Sequence, residues 1–122
     1  MQTLLVLEKN PRNMSLMIGF LEQLGYKVVP VTELKDISAA LDQETKVQLA
    51  LLDIAGYDAS IWTWCEKMRV QGIHLLVISQ KQSLELTNES MKHGVSSVLV
   101  KPLVMKELSG LIVNLLQSED LS

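Results

Sequence analysis

Apolar positions along the chain fall into two alternating patterns. Short, nearly continuous runs of Val, Leu and Ile occur at Leu4–Leu7, Val28–Val31, Val47–Leu52, Leu75–Ile78 and Val98–Val100. Runs of this kind, bounded by turn residues, predict strands buried on both faces. The segments between them have helical spacing. Met14, Met17, Ile18, Leu21 and Leu24 trace one face of an amphipathic helix, and Val104, Leu108, Leu111, Ile112 and Leu115 do so near the end. Asn10 is placed to cap the first helix, Pro11 sits where a missing N–H costs nothing, and Gly25 terminates it. Gly94 closes a later helix in the same way, which makes His93 a helix carboxyl-end residue and not a metal ligand.

Strand and helix therefore alternate five times. This order predicts an α/β fold: a five-stranded parallel sheet, joined by right-handed crossovers and covered by helices on both faces. The 122 residues suit one domain, over 3–117, with 118–122 a polar tail or the start of a linker. A 48% hydrophobic composition excludes a disordered chain. Fourteen acids against 11 bases argue against a nucleic-acid surface across the domain. The single cysteine, Cys65, cannot form an internal disulfide and reads as a small core residue. The amino terminus is too short and acidic for a secretory signal, and no apolar stretch approaches the ~20 residues that cross a bilayer. The expected location is the cytoplasm, away from membranes.

In sheets of this type, chemistry gathers in the loops beyond the carboxyl ends of the strands. Glu8-Lys9-Asn10-Pro11-Arg12 lacks the glycines of a phosphate-cradling turn, so nucleotide binding is not indicated. Asp53 is followed by Ile54 and Ala55, leaving no second acid for an aspartate-based phosphohydrolase, and no Gly-x-Ser-x-Gly elbow is present. Enzymatic turnover finds no support. What remains is an acid ending one strand (Asp53), a hydroxyl ending the next (Ser79) and a lysine ending the last (Lys101). A lysine and a hydroxyl converging on a carboxylate can neutralise and hydrogen-bond an added phosphoryl group.

With these residues in place, the chain resembles the receiver domain of two-component response regulators over about residues 3–117. The resemblance rests on Leu4-Leu5-Val6-Leu7 leading to an acid, Leu24-Gly25-Tyr26, Leu51-Leu52-Asp53-Ile54, Ser79, Gly94, Lys101-Pro102 and Glu107-Leu108. It implies a flavodoxin-like (βα)5 fold, phosphorylation at Asp53, phosphoryl contacts from Ser79 and Lys101, and Mg²⁺ dependence. It also implies a cis Lys101-Pro102 bond and a partner surface on the fourth helix, fifth strand and fifth helix. Histidine kinases and downstream effectors are the implied partners, with homodimerisation as a further mode.

The chain departs from the family at the metal. Receivers place two adjacent acids after the first strand; here they are Glu8 and Lys9. The resemblance leaves Glu8 and Asp53 as a degenerate metal pair, with Lys9 where a ligand stands. Mg²⁺ requires hard oxygen ligands in near-octahedral geometry. Lys9 is expected either to occupy the metal's place as an internal cation paired with Asp53 and Glu8, or to point to solvent. The first arrangement defines an atypical pseudo-receiver that signals through protein contacts without a cofactor. The alternative is a conventional phosphoacceptor, modified on Asp53 by a histidine kinase with Mg²⁺; Glu8 and Asp58 then recruit the metal. A small-molecule binder using the same cleft is a third class.

Partner candidates follow from exposure. Trp62 and Trp64 stand about 200° apart on a helix, so one is expected inside and the other on the surface or anchoring a partner. The fourth helix, Ser83 to His93, has a weak apolar stripe carried by Leu84 and Met91. The aromatic that receivers place three residues before Lys-Pro is here Val98, counted with the partner surface.

Overall fold

The computed structural model describes residues 2–42 and 45–120. It contains β1 (Thr3–Leu7), α1 (Pro11–Gln23), β2 (Lys27–Val31), α2 (Ile37–Leu41), β3 (Val47–Asp53), α3 (Ile61–Val70), β4 (His74–Ser79), α4 (Leu84–Lys92), β5 (Ser97–Val100) and α5 (Met105–Asp120). The five strands form one parallel sheet in the order β2-β1-β3-β4-β5. Each expected strand is present within one residue of the apolar run that marks it. The fold is the flavodoxin-like arrangement.

Alternation along the strands divides the interior into two cores. Leu5, Leu7, Ala50, Leu52, Leu75 and Val77 face Ile37 of α2 and Ile61, Cys65 and Met68 of α3. Leu4, Val6, Leu49, Leu51, Leu76 and Ile78 face Met14 and Leu21 of α1 and Leu108, Ile112 and Leu116 of α5. Fully burying a leucine or isoleucine contributes about 1.5–3 kcal/mol. The two layers therefore supply most of the stabilisation. By contrast, α4 buries only Ser90 among its own residues.

Asn10 caps α1, its side chain accepting the Asn13 N–H at 3.0 Å, with Pro11 opening the helix. Gly25, at φ +94°, turns the chain out of the helix. Leu24 does not belong to the buried stripe: it caps the helix end and is 46% exposed. Val104 likewise precedes α5, accepts the Leu108 N–H and is exposed. Its place in the apolar stripe is taken by Leu116, four residues beyond Ile112. The last helix runs to Asp120, into the segment expected as a tail; residues 121 and 122 lie outside the described residues. β2, at one margin of the sheet, contains the exposed Pro30 opposite Val6. A strand paired on one side only tolerates a residue without an N–H.

Candidate functional site

The carboxyl ends of β1, β3 and the loop after β5 bring Glu8, Asp53 and Lys101 together. Parallel pairing sets this up. Leu7 is level with Leu52, and Asp53 with Ile78, so the residues leaving each strand emerge on the same side. Backbone bonds then hold the loops: Ile54 N–H donates to Ile78 O at 3.2 Å, and Lys101 N–H to Ser79 O at 2.9 Å. Lys101 is joined to Pro102 by a cis peptide bond, as the family resemblance implies.

Asp53 is 3% exposed and Glu8 8%. The Lys101 ammonium lies 2.6 Å from Asp53 Oδ2, and Asp53 Oδ1 accepts the Ala55 N–H at 3.2 Å. Glu8 Oε2 accepts the Asn10 N–H at 3.1 Å. Burial raises the Glu8 carboxyl above its usual value, and a hydrogen bond shared with the adjacent Asp53 carboxylate raises it further. Two carboxyl groups and one ammonium thus fill the floor. Ser79 is buried next to them, but its hydroxyl is engaged in its own loop, donating to Lys81 O at 2.8 Å and accepting the Lys81 N–H at 3.2 Å.

Lys9 is not the internal cation. It is exposed, with its ammonium 5.0 Å from the centroid of the Tyr57 ring, while Lys101 takes the carboxylate. The physical reason is solvation. Burying a second ammonium costs several kcal/mol, whereas resting on an aromatic face in water gains about 0.5–1 kcal/mol at no such cost. Tyr57 is anchored by its hydroxyl, which donates to Thr32 O at 2.5 Å. Asp58 also stays out of the cleft: its carboxylate accepts the Ser60 N–H at 2.9 Å and the Ser60 hydroxyl, bonds that hold it below the usual range, with Lys9 assisting.

This donor set does not fit the divalent ion that the fold implies. Mg²⁺ is held by carboxylate oxygens at nearly octahedral positions. Here two carboxyls are present, one already bound by Lys101, and the neighbouring position carries an ammonium. Among the described residues no group of three His, Cys, Asp or Glu is assembled to hold a metal. Above the polar floor lies a cavity of about 630 Å³, walled by Leu16, Met17 and Phe20 of α1 and by Leu103 and Met105. The sequence pointed to the cleft but not to its apolar walls. Their signal was present in Leu16 and Phe20, apolar residues lying off the buried stripe of α1.

Away from the cleft, Trp62 and Trp64 both lie half-buried, flanking the inward row of Ile61, Cys65 and Met68. Neither is fully inside, because the helix angle sets each about 60–100° from that row. Trp62 stacks on His93 (centroids 5.6 Å apart, planes 12°), and Trp64 is covered by Lys67 at 4.5 Å. His93 therefore ties α4 to α3: Nε2 lies 3.0 Å from Glu89 and Nδ1 3.4 Å from Glu66. The i, i+4 spacing of Glu89 and His93 was the available clue. Leu84 and Met91 are 76% and 48% exposed, an open face, whereas Val98 is half-buried against the core beneath α3 and is not part of it. Burial pushes the Cys65 thiol up to about 12, consistent with an inert core residue.

The chain matches the family described as the response regulator receiver domain over residues 4–113. No curated protein matches it. Among solved structures, a response regulator receiver domain protein from Clostridium thermocellum is similar at a TM-score of 0.87 and 16% identity, covering 99% of this chain and 98% of that one. A CheY-like receiver domain protein from Methanospirillum hungatei gives 0.84 and 21%, covering 100% and 99%. A putative pilus assembly protein from Burkholderia thailandensis gives 0.82 and 21%, covering 96% and 99%. At these identities the structures speak for the fold. The family match spans most of the chain, residues 4–113 of 122; this chain belongs to the response-regulator receiver family of two-component signalling.

Proposed function

We propose that this receiver domain transmits its signal through protein contacts, with Mg²⁺-dependent phosphorylation of Asp53 impaired. Receiver domains are in general signalling modules without enzymatic turnover, and they interact with histidine kinases and effectors. The observation that carries the proposal is the replacement of a metal-ligating acid by Lys9, which leaves two carboxyls, one of them tied to Lys101. Two effects oppose the metal, and their sizes differ. An exposed ammonium repels a divalent ion only weakly, because water and salt screen it. The missing oxygen ligand is the larger loss, because Mg²⁺ dehydrates only for well-placed oxygens.

In this reading the domain needs no cofactor, acts in the cytoplasm, and engages a kinase, an effector or a second copy, with no nucleic acid or membrane. The open face at Leu84 and Met91 supports contact-based output. The second reading, a conventional phosphoacceptor, draws on the convergence of Asp53, Ser79 and Lys101. Incubation with acetyl phosphate and Mg²⁺, followed by mass spectrometry, separates them. The unmodified chain is expected; a stable adduct at Asp53 refutes the proposal.

A further inference from the structure

The cleft is more than a receiver pocket short of a ligand. Its volume, about 630 Å³, lies within the range of about 300–1,000 Å³ typical of small-molecule sites. Such sites combine apolar walls with a few convergent polar groups. Here α1 and the segment from Pro102 to Met105 supply apolar wall residues over the strand ends, and Glu8, Asp53 and Lys101 line the same cavity. We propose that this cavity is a binding site for a small organic monocation, its primary ammonium seated against the Glu8 carboxyl beside the Asp53–Lys101 pair and its apolar body lying along Met17, Phe20 and Leu103.

Charge selects the class of ligand. An anionic head meets two carboxyl groups, and the one cation on the floor is already 2.6 Å from Asp53. A divalent metal lacks the oxygen ligands that offset its dehydration. A neutral head gains only ordinary hydrogen bonds. A single ammonium supplies three donors to buried carboxyl oxygens and raises the local positive charge by one unit, matching the two acids and one lysine. The walls fix the remainder of the molecule. Leu16 is 63% exposed and lines the cavity, and a ligand with an aryl or branched alkyl body removes that surface from water.

The site assignment rests on the reading that the cleft is not given over to Mg²⁺ and a phosphoryl group, and the test keeps the two apart. The unmodified chain, in metal-free buffer at neutral pH, is titrated with phenethylamine, phenethyl alcohol and hydrocinnamate, and backbone amide shifts are followed by NMR. The amine is expected to bind at least tenfold more tightly than the alcohol, with shifts centred on Met17, Phe20 and Leu103, and the carboxylate to leave the spectrum unchanged. Glu8→Gln, checked for folding by circular dichroism, is expected to bring the amine down to the alcohol's affinity. Equal binding of amine and alcohol, shifts centred elsewhere, or no binding up to the amine's solubility overturns the inference. Acetyl phosphate labelling with Mg²⁺ runs in parallel. An adduct at Asp53 defeats the proposed function and with it the premise of this inference, whereas a silent amine titration without an adduct defeats this inference alone.

Discussion

Replacing Lys101 by Met keeps the side-chain stem and deletes the ammonium that holds Asp53. At 2.6 Å and an effective dielectric constant of 20, the pair attracts by about 6 kcal/mol, which is a ceiling. Removing one partner of a buried pair costs about 3–5 kcal/mol. Two features move Lys101→Met to the lower end. The Lys101 side chain is 29% exposed, so part of its charge is already hydrated, and Glu8 is positioned to share a proton with the stranded carboxylate. The expected loss is therefore about 3 kcal/mol at pH 7, with the chain still folded, because domains have about 5–15 kcal/mol in hand. In urea, at a slope of about 2 kcal/mol/M, the midpoint falls by about 1.5 M with the slope unchanged. Asp53→Asn frees an ammonium that can rehydrate and costs about 1 kcal/mol, and the double variant closes a cycle with a coupling of about 2 kcal/mol. A loss under about 0.5 kcal/mol for Lys101→Met would refute the assignment of Lys101 as the cation that balances the floor.

Four further outcomes are expected. Glu8→Gln retains the acceptor for Asn10 but cannot ionise. Because Glu8 is raised in the fold, the folded state of the parent binds more protons above the ordinary Glu range, so parent stability declines with rising pH by at most about 1.4 kcal/mol per unit. Gln removes that decline, and its advantage in urea midpoint should grow between pH 4 and pH 7. Lys9→Asp restores the missing acid and should raise Mg²⁺ affinity at least tenfold by calorimetry, together with acetyl phosphate labelling of Asp53. His93→Ala removes the stack on Trp62, costs about 1 kcal/mol, and should speed hydrogen exchange in α4 ahead of α3. Gly94→Ala meets two obstacles, a φ of +90° and a new Cβ 1.9 Å from Arg69 Cδ. Arg69 is exposed and can swing away, so the backbone strain of about 1–2 kcal/mol dominates, and adding Arg69→Ala should recover little in a melting assay.

What the sequence made legible follows from the range of the forces involved. The strands and the stripe of α1 are written in local periodicity, so Leu4–Leu7 and Met14 to Leu21 can be read one residue after another. The gathering of Asp53 and Lys101 could be read too, because parallel pairing brings strand ends to one side wherever the order is βα. Lys9 could not be read this way. Its direction depends on the competition between a distant ring, Tyr57, and the solvation of an ammonium, and no spacing encodes that. The two tryptophans were legible as angles but not as neighbours, since the partner that occupies Trp62 is His93, beyond another strand. The cavity depends on the gap between α1 and the segment after β5, which only tertiary packing sets.

Pro30 determines what the sheet can do beyond its own boundary. β2 pairs only with β1, and the proline withholds the one kind of donor that an incoming extended peptide needs to zip on as a sixth strand. On that flank the ladder is finished, so crowded copies cannot stack edge to edge into fibrils from there. On the β2 flank, recruits must instead arrive through helices, loops or side chains.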